Sequence, residues 1–156
     1  MLEIRPARYS DAEVAFDIRL QAIRHQCITV YTPEQVQAWT QVPLTDRYRA
    51  SVERQYHIAW WGEAAVATGF IDFQSAELGA VFVLPGFMGQ GIGKSMIHYL
   101  ERLALEAGLA EIHLDATPNA TAFYHRCGFH GEERGIYTSP SGLEVACTPM
   151  RKRLIG

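Results

Sequence analysis

The chain has 156 residues, 48% hydrophobic and 20% charged, enough for one globular domain with its own core over residues 1–156. Its formal net charge of -3 argues against a nucleic-acid partner, which calls for a basic stripe. No apolar run reaches the roughly 18 residues of a membrane span. The first residues lack the basic-then-apolar build of a secretory leader, so a reducing, cytoplasmic setting is expected. Cys27, Cys127 and Cys147 are too scattered for a disulfide framework or a zinc site, and no metal is expected.

In chain order, residues 2–5 read as a first strand stopped by Pro6. Ser10 and Glu13 have capping-box spacing, and Val14, Ala15, Ile18 and Ala22 recur at helical intervals, predicting a helix over 11–25. Thr32 and Pro33 open a second helix as cap and first helical residue; it ends before Pro43. A weaker helical stretch covers 46–54. Three β-rich segments follow, over 57–61, 63–72 and 77–84, with links short enough for an antiparallel meander.

A loop over 85–90 leads into a helix over 91–106 with Ile92, Met96, Tyr99, Leu100 and Leu103 on its apolar face, closed by Gly108. A strand over 111–115 and a short helix over 119–126, closed by Gly128, come next. Strands over 129–137 and 143–153 form a final hairpin, turned at residues 139–142. This order predicts an α/β (α+β) fold with a mixed, mostly antiparallel sheet covered by helices. The unit 77–84, 91–106, 111–115 makes neighbouring parallel strands at its centre.

Gly89, Gly91 and Gly93 alternate where that strand meets its helix, with Lys94 and Ser95 immediately after. Glycines there turn backbone N–H groups toward an anion, the helix N-terminus adds partial positive charge, and Lys94 adds a full one. A phosphate or pyrophosphate is the expected ligand. A Walker A loop fails because Met88 stands where its first glycine belongs. The G-x-G-x-x-G dinucleotide pattern fails at Lys94 or at Met96.

The run V-F-V-L-P-x-x-x-G-x-G-I-G-K resembles the acetyl-CoA-binding motif of the GNAT acetyltransferases. The stretch N-A-T-A-F-Y-H-R-C-G-F, from Asn119 to Phe129, is similar to a downstream signature of the same family. The resemblance implies a GNAT-like fold with helices on both faces of the sheet, and acetyl-CoA as co-substrate. It implies that Phe82, Val83, Leu84, Met88, Gly89, Gln90, Gly91, Ile92, Gly93, Lys94, Ser95, Asn119 and Phe123 hold the donor. Met88 departs from the Gln or Arg usual in the family, which weakens the site modestly because main-chain N–H groups do most of the holding.

The resemblance further implies that a backbone N–H near Val83 or Leu84 polarises the acyl carbonyl and that Tyr124 protonates the departing sulfur. Glu77 is then the general base acting through water, with Asp115 as the alternative. The expected activity is direct transfer of acetyl to a primary amine of a small molecule or peptide. A non-catalytic acyl-CoA sensor and an enzyme for another short acyl-CoA are the other readings. Tyr31, Trp39, Trp60 and Trp61 are aromatic candidates for the acceptor pocket. Exposed edge strands at the C-terminal hairpin make a homodimer plausible.

Overall fold

The computed structural model describes residues 1–139 and 142–155. Strand β1 (Leu2–Pro6) leads into helices α1 (Ala12–Gln26), α2 (Pro33–Thr40) and α3 (Asp46–Gln55). The meander β2 (Tyr56–Trp61), β3 (Ala64–Asp72) and β4 (Glu77–Val83) follows. Helix α4 (Ile92–Glu106), strand β5 (Glu111–Ala116) and helix α5 (Thr121–Arg126) precede strands β6 (Gly135–Thr138) and β7 (Glu144–Arg153). The seven strands form one sheet in the order β1-β2-β3-β4-β5-β7-β6, antiparallel except for β4 and β5. Helices α1 and α4 pack on opposite faces of β3 and β4.

Side-chain caps start α2 and α3, the latter through Thr45 Oγ1 accepting from the Tyr48 N–H at 3.1 Å. Thr32 Oγ1 accepts from the Gln35 N–H at 3.1 Å while Gln35 Oε1 accepts from the Thr32 N–H at 3.0 Å, a reciprocal cap ahead of Pro33. The box expected from Ser10 and Glu13 does not form. Residues Tyr9–Asp11 wind a 3-10 turn, which takes Ser10 out of the extended cap conformation, and the Asp11 carboxylate instead accepts from the Arg8 N–H at 2.8 Å. Helix α4 buries Ile92, Met96, Ile97, Leu100 and Ala104. Its stripe is rotated slightly from the expected one, leaving Tyr99 and Leu103 at the margin. Gly69 on β3 permits this approach, since a Cβ there would stand 2.7 Å from Met96 Cγ.

The strand expected over 129–137 is interrupted. His130 bridges to Arg151, and regular pairing resumes only at Gly135 with Cys147. The intervening residues lie opposite Pro149, which has no N–H to donate to the ladder, and one extra residue is accommodated on their side. Of the turn expected over 139–142, Pro140 and Ser141 lie outside the described residues.

Two departures from sheet regularity shape the middle of the molecule. Strands β4 and β5 are in register only at Glu77 and His113, and they separate toward the C-terminal end of β4. Strand β4 also carries one more residue than β3 between the Thr68–Phe82 and Phe70–Gly79 pairs. This bulge contains Ala80 at φ 49°, and its carbonyl accepts from Thr68 Oγ1 at 2.6 Å.

Phe129 is fully buried beneath α5, its ring edge-on to Tyr124 at 5.7 Å. Truncating it leaves a cavity that the surrounding helices cannot fill. Phe129→Ala is expected to cost about 3–5 kcal/mol in urea unfolding.

Candidate active site

The glycine loop begins with a 3-10 turn at Pro85–Phe87 and ends at Gly91, which caps α4 in the left-handed region at φ 81°. Gly89 takes the same conformation at φ 78°. These two residues turn the chain so that no N–H of residues 89–94 is bonded within the described structure; the first helical bond of α4 is Ser95 N–H to Gly91 carbonyl. A Cβ at either glycine would meet no atom of the chain, so the space over the loop is open. Gly93 serves a different purpose. The Phe123 ring stands 3.2 Å from where its Cβ would lie, so α5 closes against the first turn of α4.

Free donors, the α4 dipole and the exposed Lys94 suit this loop to cradle an anion. Gln90 and Ile92 contribute backbone donors to it. Met88 is turned aside, its sulfur accepting from Gln26 Nε2 of α1 at 3.5 Å. The side chain of Ser95 lies in a groove with Leu2, Ile4, His98, Tyr99 and Arg102.

The cradle opens onto the gap between β4 and β5. The Leu84 N–H is bonded to Val66 carbonyl at 2.9 Å and is not available to a ligand. Successive N–H groups of a strand point to opposite edges, so that of Val83 points into the gap. Across the gap lies α5. Tyr124 is buried but makes no hydrogen bond through its hydroxyl among the described residues. Burial, with a smaller contribution from Cys127, pushes its phenol above the ordinary value and keeps it protonated.

Asn119 is exposed ahead of α5 and accepts from Cys27 Sγ at 3.9 Å; Ala120, not Asn119, occupies the cap position. The C-terminal end of α5 is fixed by Lys152, whose Nζ donates to Cys127 carbonyl at 2.7 Å and to Glu101 Oε1 at 2.8 Å.

Glu77 begins β4 at the narrow end of the gap. Its carboxyl is half-buried, and burial holds its pKa above the usual carboxylate value, with Asp115 and Asp72 adding and His113 offsetting. Asp115 alternates along β5 with the buried Leu114 and Ala116, so it faces away from α4, on the side of Tyr137 and Cys147.

On that side Tyr31 and Trp39 come together, with ring centroids 5.7 Å apart, and Tyr137 lies 6.3 Å from Trp39. Phe82 packs against this cluster. The Tyr31 hydroxyl is committed to Ala146 carbonyl at 2.5 Å. Trp60 and Trp61 are not part of it. Trp60 lies under the Arg5 guanidinium at 4.8 Å, and Trp61 is exposed beside the edge strand β1. Sequence reasoning missed Thr68, Arg19, Tyr48, Tyr56 and Phe70 on this face, because no motif marks them.

The chain belongs to the acetyltransferase (GNAT) domain family, whose model matches residues 27–154. A 62-residue stretch, 40% of the chain, is 37% identical to the histone acetyltransferase TAP1 of Glycine max and covers 27% of that protein. The chain spans about a quarter of the length of the curated relatives it matches first.

The crystal structure of a GCN5-related N-acetyltransferase from Rhodopseudomonas palustris superposes with a TM-score of 0.88 at 25% identity, over 97% of this chain and 94% of that one. A putative acetyltransferase of Salmonella typhimurium, solved with its cofactor acetyl-CoA, is similar in fold, with a TM-score of 0.72 at 18% identity over 100% of this chain and 95% of that one.

Gly91→Ala places a methyl group over the cradle and forces a side chain into the left-handed region, a strain of about 1–2 kcal/mol. Calorimetric titration with coenzyme A is expected to show affinity reduced about tenfold or more, with each 1.4 kcal/mol accounting for a factor of ten.

Proposed function

We propose that this chain, read as one acetyltransferase domain, moves an acetyl group from acetyl-CoA directly to a primary amine within a ternary complex. The observation that carries the reading is the set of free N–H groups at residues 89–94 opening onto the separation of β4 and β5. Acetyl-CoA, when bound, supplies an acyl group activated as a thioester. The loop N–H groups and Lys94 hold its pyrophosphate, and Asn119 and Phe123 flank the arm that enters the gap.

The Val83 N–H lies in the gap with its partner strand drawn away, so its bond is free for a carbonyl oxygen gaining negative charge. The bulge at Ala80, clamped by Thr68, sets the height of that donor. Tyr124 keeps its proton and has no competing partner among the described residues, which leaves that proton available to the departing sulfur. Glu77 takes a proton from the ammonium, through water, because its raised pKa narrows the mismatch with an amine. A protein that only bound acyl-CoA would have no use for an unpaired hydroxyl there. The three free, buried cysteines suit a reducing cytoplasm.

Titration with acetyl-CoA in the calorimeter, followed by an amine screen reading CoA release, tests the reading; no binding would defeat it outright. Tyr124→Phe is expected to lower kcat about 10- to 100-fold with acetyl-CoA affinity retained. Full turnover by that variant would remove Tyr124 from its role. Because Glu77 acts as a base, kcat/KM should rise with pH through a limb lying above the ordinary carboxylate range. Glu77→Gln should erase that limb and lower kcat by a similar factor.

A further inference from the structure

Helix α1 carries a cation with no counter-ion among the described residues. Arg19 lies among aromatic side chains beneath α2 and α3. Its Nη2 donates to the Trp39 carbonyl at 3.1 Å, and its guanidinium carbon is 6.0 Å from the Phe16 ring. Nη1 is buried without a hydrogen-bond partner among the described residues, and Tyr48, whose hydroxyl interacts with that of Tyr56, places its ring 5.3 Å from Phe16. The ion pairs among the described residues are Arg5–Glu3, Arg49–Glu13 and Lys152–Glu101, so no carboxylate of the described chain neutralises Arg19. The charged and titratable groups that act on it are the phenols of Tyr48, Tyr56 and Tyr137. Arg19 is partly buried with Nη1 fully shielded, and leaving such a donor unpaired is unfavourable, so an apolar side chain of similar volume there would usually be the more stable choice.

A path of side chains leads from this cation to Glu77. Tyr56, Phe70 and Gly79 are cross-strand partners in successive strands β2, β3 and β4. The Tyr56 and Phe70 rings are 5.6 Å apart, and the Phe70 ring covers Gly79 so closely that a Cβ would lie 2.6 Å from it. Glu77 is two residues before Gly79, on the same face of β4. Tyr137 stands between the two ends, within electrical reach of Arg19 on one side and of Glu77 and Asp115 on the other. The acceptor face is therefore a strip floored by aromatic rings, with a cation at one end and carboxylates at the other.

We infer that the acceptor is an amine that also carries a carboxylate, with Arg19 receiving the carboxylate while the nitrogen lies against Glu77. Nη1 is shielded from solvent, so the anion engages it as the neighbouring side chains change rotamer, an ordinary accompaniment of binding. A planar guanidinium with free donors matches a carboxylate better than an ammonium does, which makes Arg rather than Lys the required residue. This assignment rests on the proposed acetyl transfer for its catalytic readout and on direct binding for an independent one.

Matched acceptors that differ only in the carboxylate, with nitrogen and carboxylate far enough apart to reach both ends of the strip, test it: 4-(aminomethyl)benzoate against benzylamine, and 5-aminopentanoate against pentylamine. In the wild-type protein, kcat/KM for CoA release should favour the carboxylated member of at least one pair by about tenfold or more, the range of a charge-assisted hydrogen bond. Arg19→Met should abolish that preference and Arg19→Lys should restore it only partly. Equal or reversed preference in the wild type, or preference surviving in Arg19→Met, overturns the assignment.

Binding of 3-phenylpropionate against 3-phenylpropanol, followed by tryptophan fluorescence and calorimetry, reads the same site without turnover. The anion should bind the wild type at least tenfold more tightly than the alcohol, and Arg19→Met should lose this advantage while still binding coenzyme A. Thermal unfolding separates a merely structural role: an Arg19 needed only to hold the Trp39 carbonyl would show a lowered Tm in Arg19→Met with the carboxylate preference intact. Should acetyl-CoA fail to bind while 3-phenylpropionate binds through Arg19, the proposed activity falls and the anion site stands.

Discussion

Two parallel strands that meet at one residue pair and then separate set the terms for everything else in this molecule. Between β4 and β5 the sheet gives up hydrogen bonds that a continuous ladder would make, and the N–H of Val83 is left facing a gap. Such an opening is tolerable only because both flanks are held by other means. On one side β4 is pinned to β3 by its ladder and by the Thr68 clamp on the Ala80 bulge. On the other, β5 is zipped to β7 along its whole length, and α5 is closed against α4 through Gly93 and Phe123. The unpaired donors are thus held by a rigid frame, which is what electrostatic catalysis needs of them.

The glycine loop was legible in the sequence because its physics is local. Positive φ at Gly89 and Gly91 and the missing Cβ at Gly93 follow from residue type and position alone. The caps of α2 and the stripe of α4 are legible for the same reason. What escaped depends on partners distant in the chain. The Ser10 and Glu13 spacing suggested a cap, but a 3-10 turn stabilised by Asp11 intervened. The strand expected over 129–137 was broken by a proline on the facing strand, which periodicity within the segment cannot reveal. Trp60 and Trp61 looked like pocket aromatics until the register with β1 put them at the far edge of the sheet.

Arg19 illustrates the limit most clearly. In a helix that also carries Glu13, Asp17 and Arg24, an arginine reads as part of a solvated face. Its burial follows from α2 and α3 folding over α1, and the absence of a counter-charge follows from what those helices bring, which is aromatic surface and a backbone carbonyl. The proposed donor side is written in a motif, whereas the proposed acceptor side is written in packing. Proteins that share the first can therefore differ freely in the second.

The place of β7 in the sheet has a consequence for how the molecule comes together. It is the last strand along the chain, yet it lies between β5 and β6 rather than at an edge, and it supplies Lys152 to the carbonyl that ends α5. A chain emerging from a ribosome has its glycine loop and meander long before it has anything to brace β5 or the helix bearing Tyr124. The loop proposed to hold the donor is made early, but the wall opposite it waits for β7, so a partly synthesised chain holds only half of the proposed site.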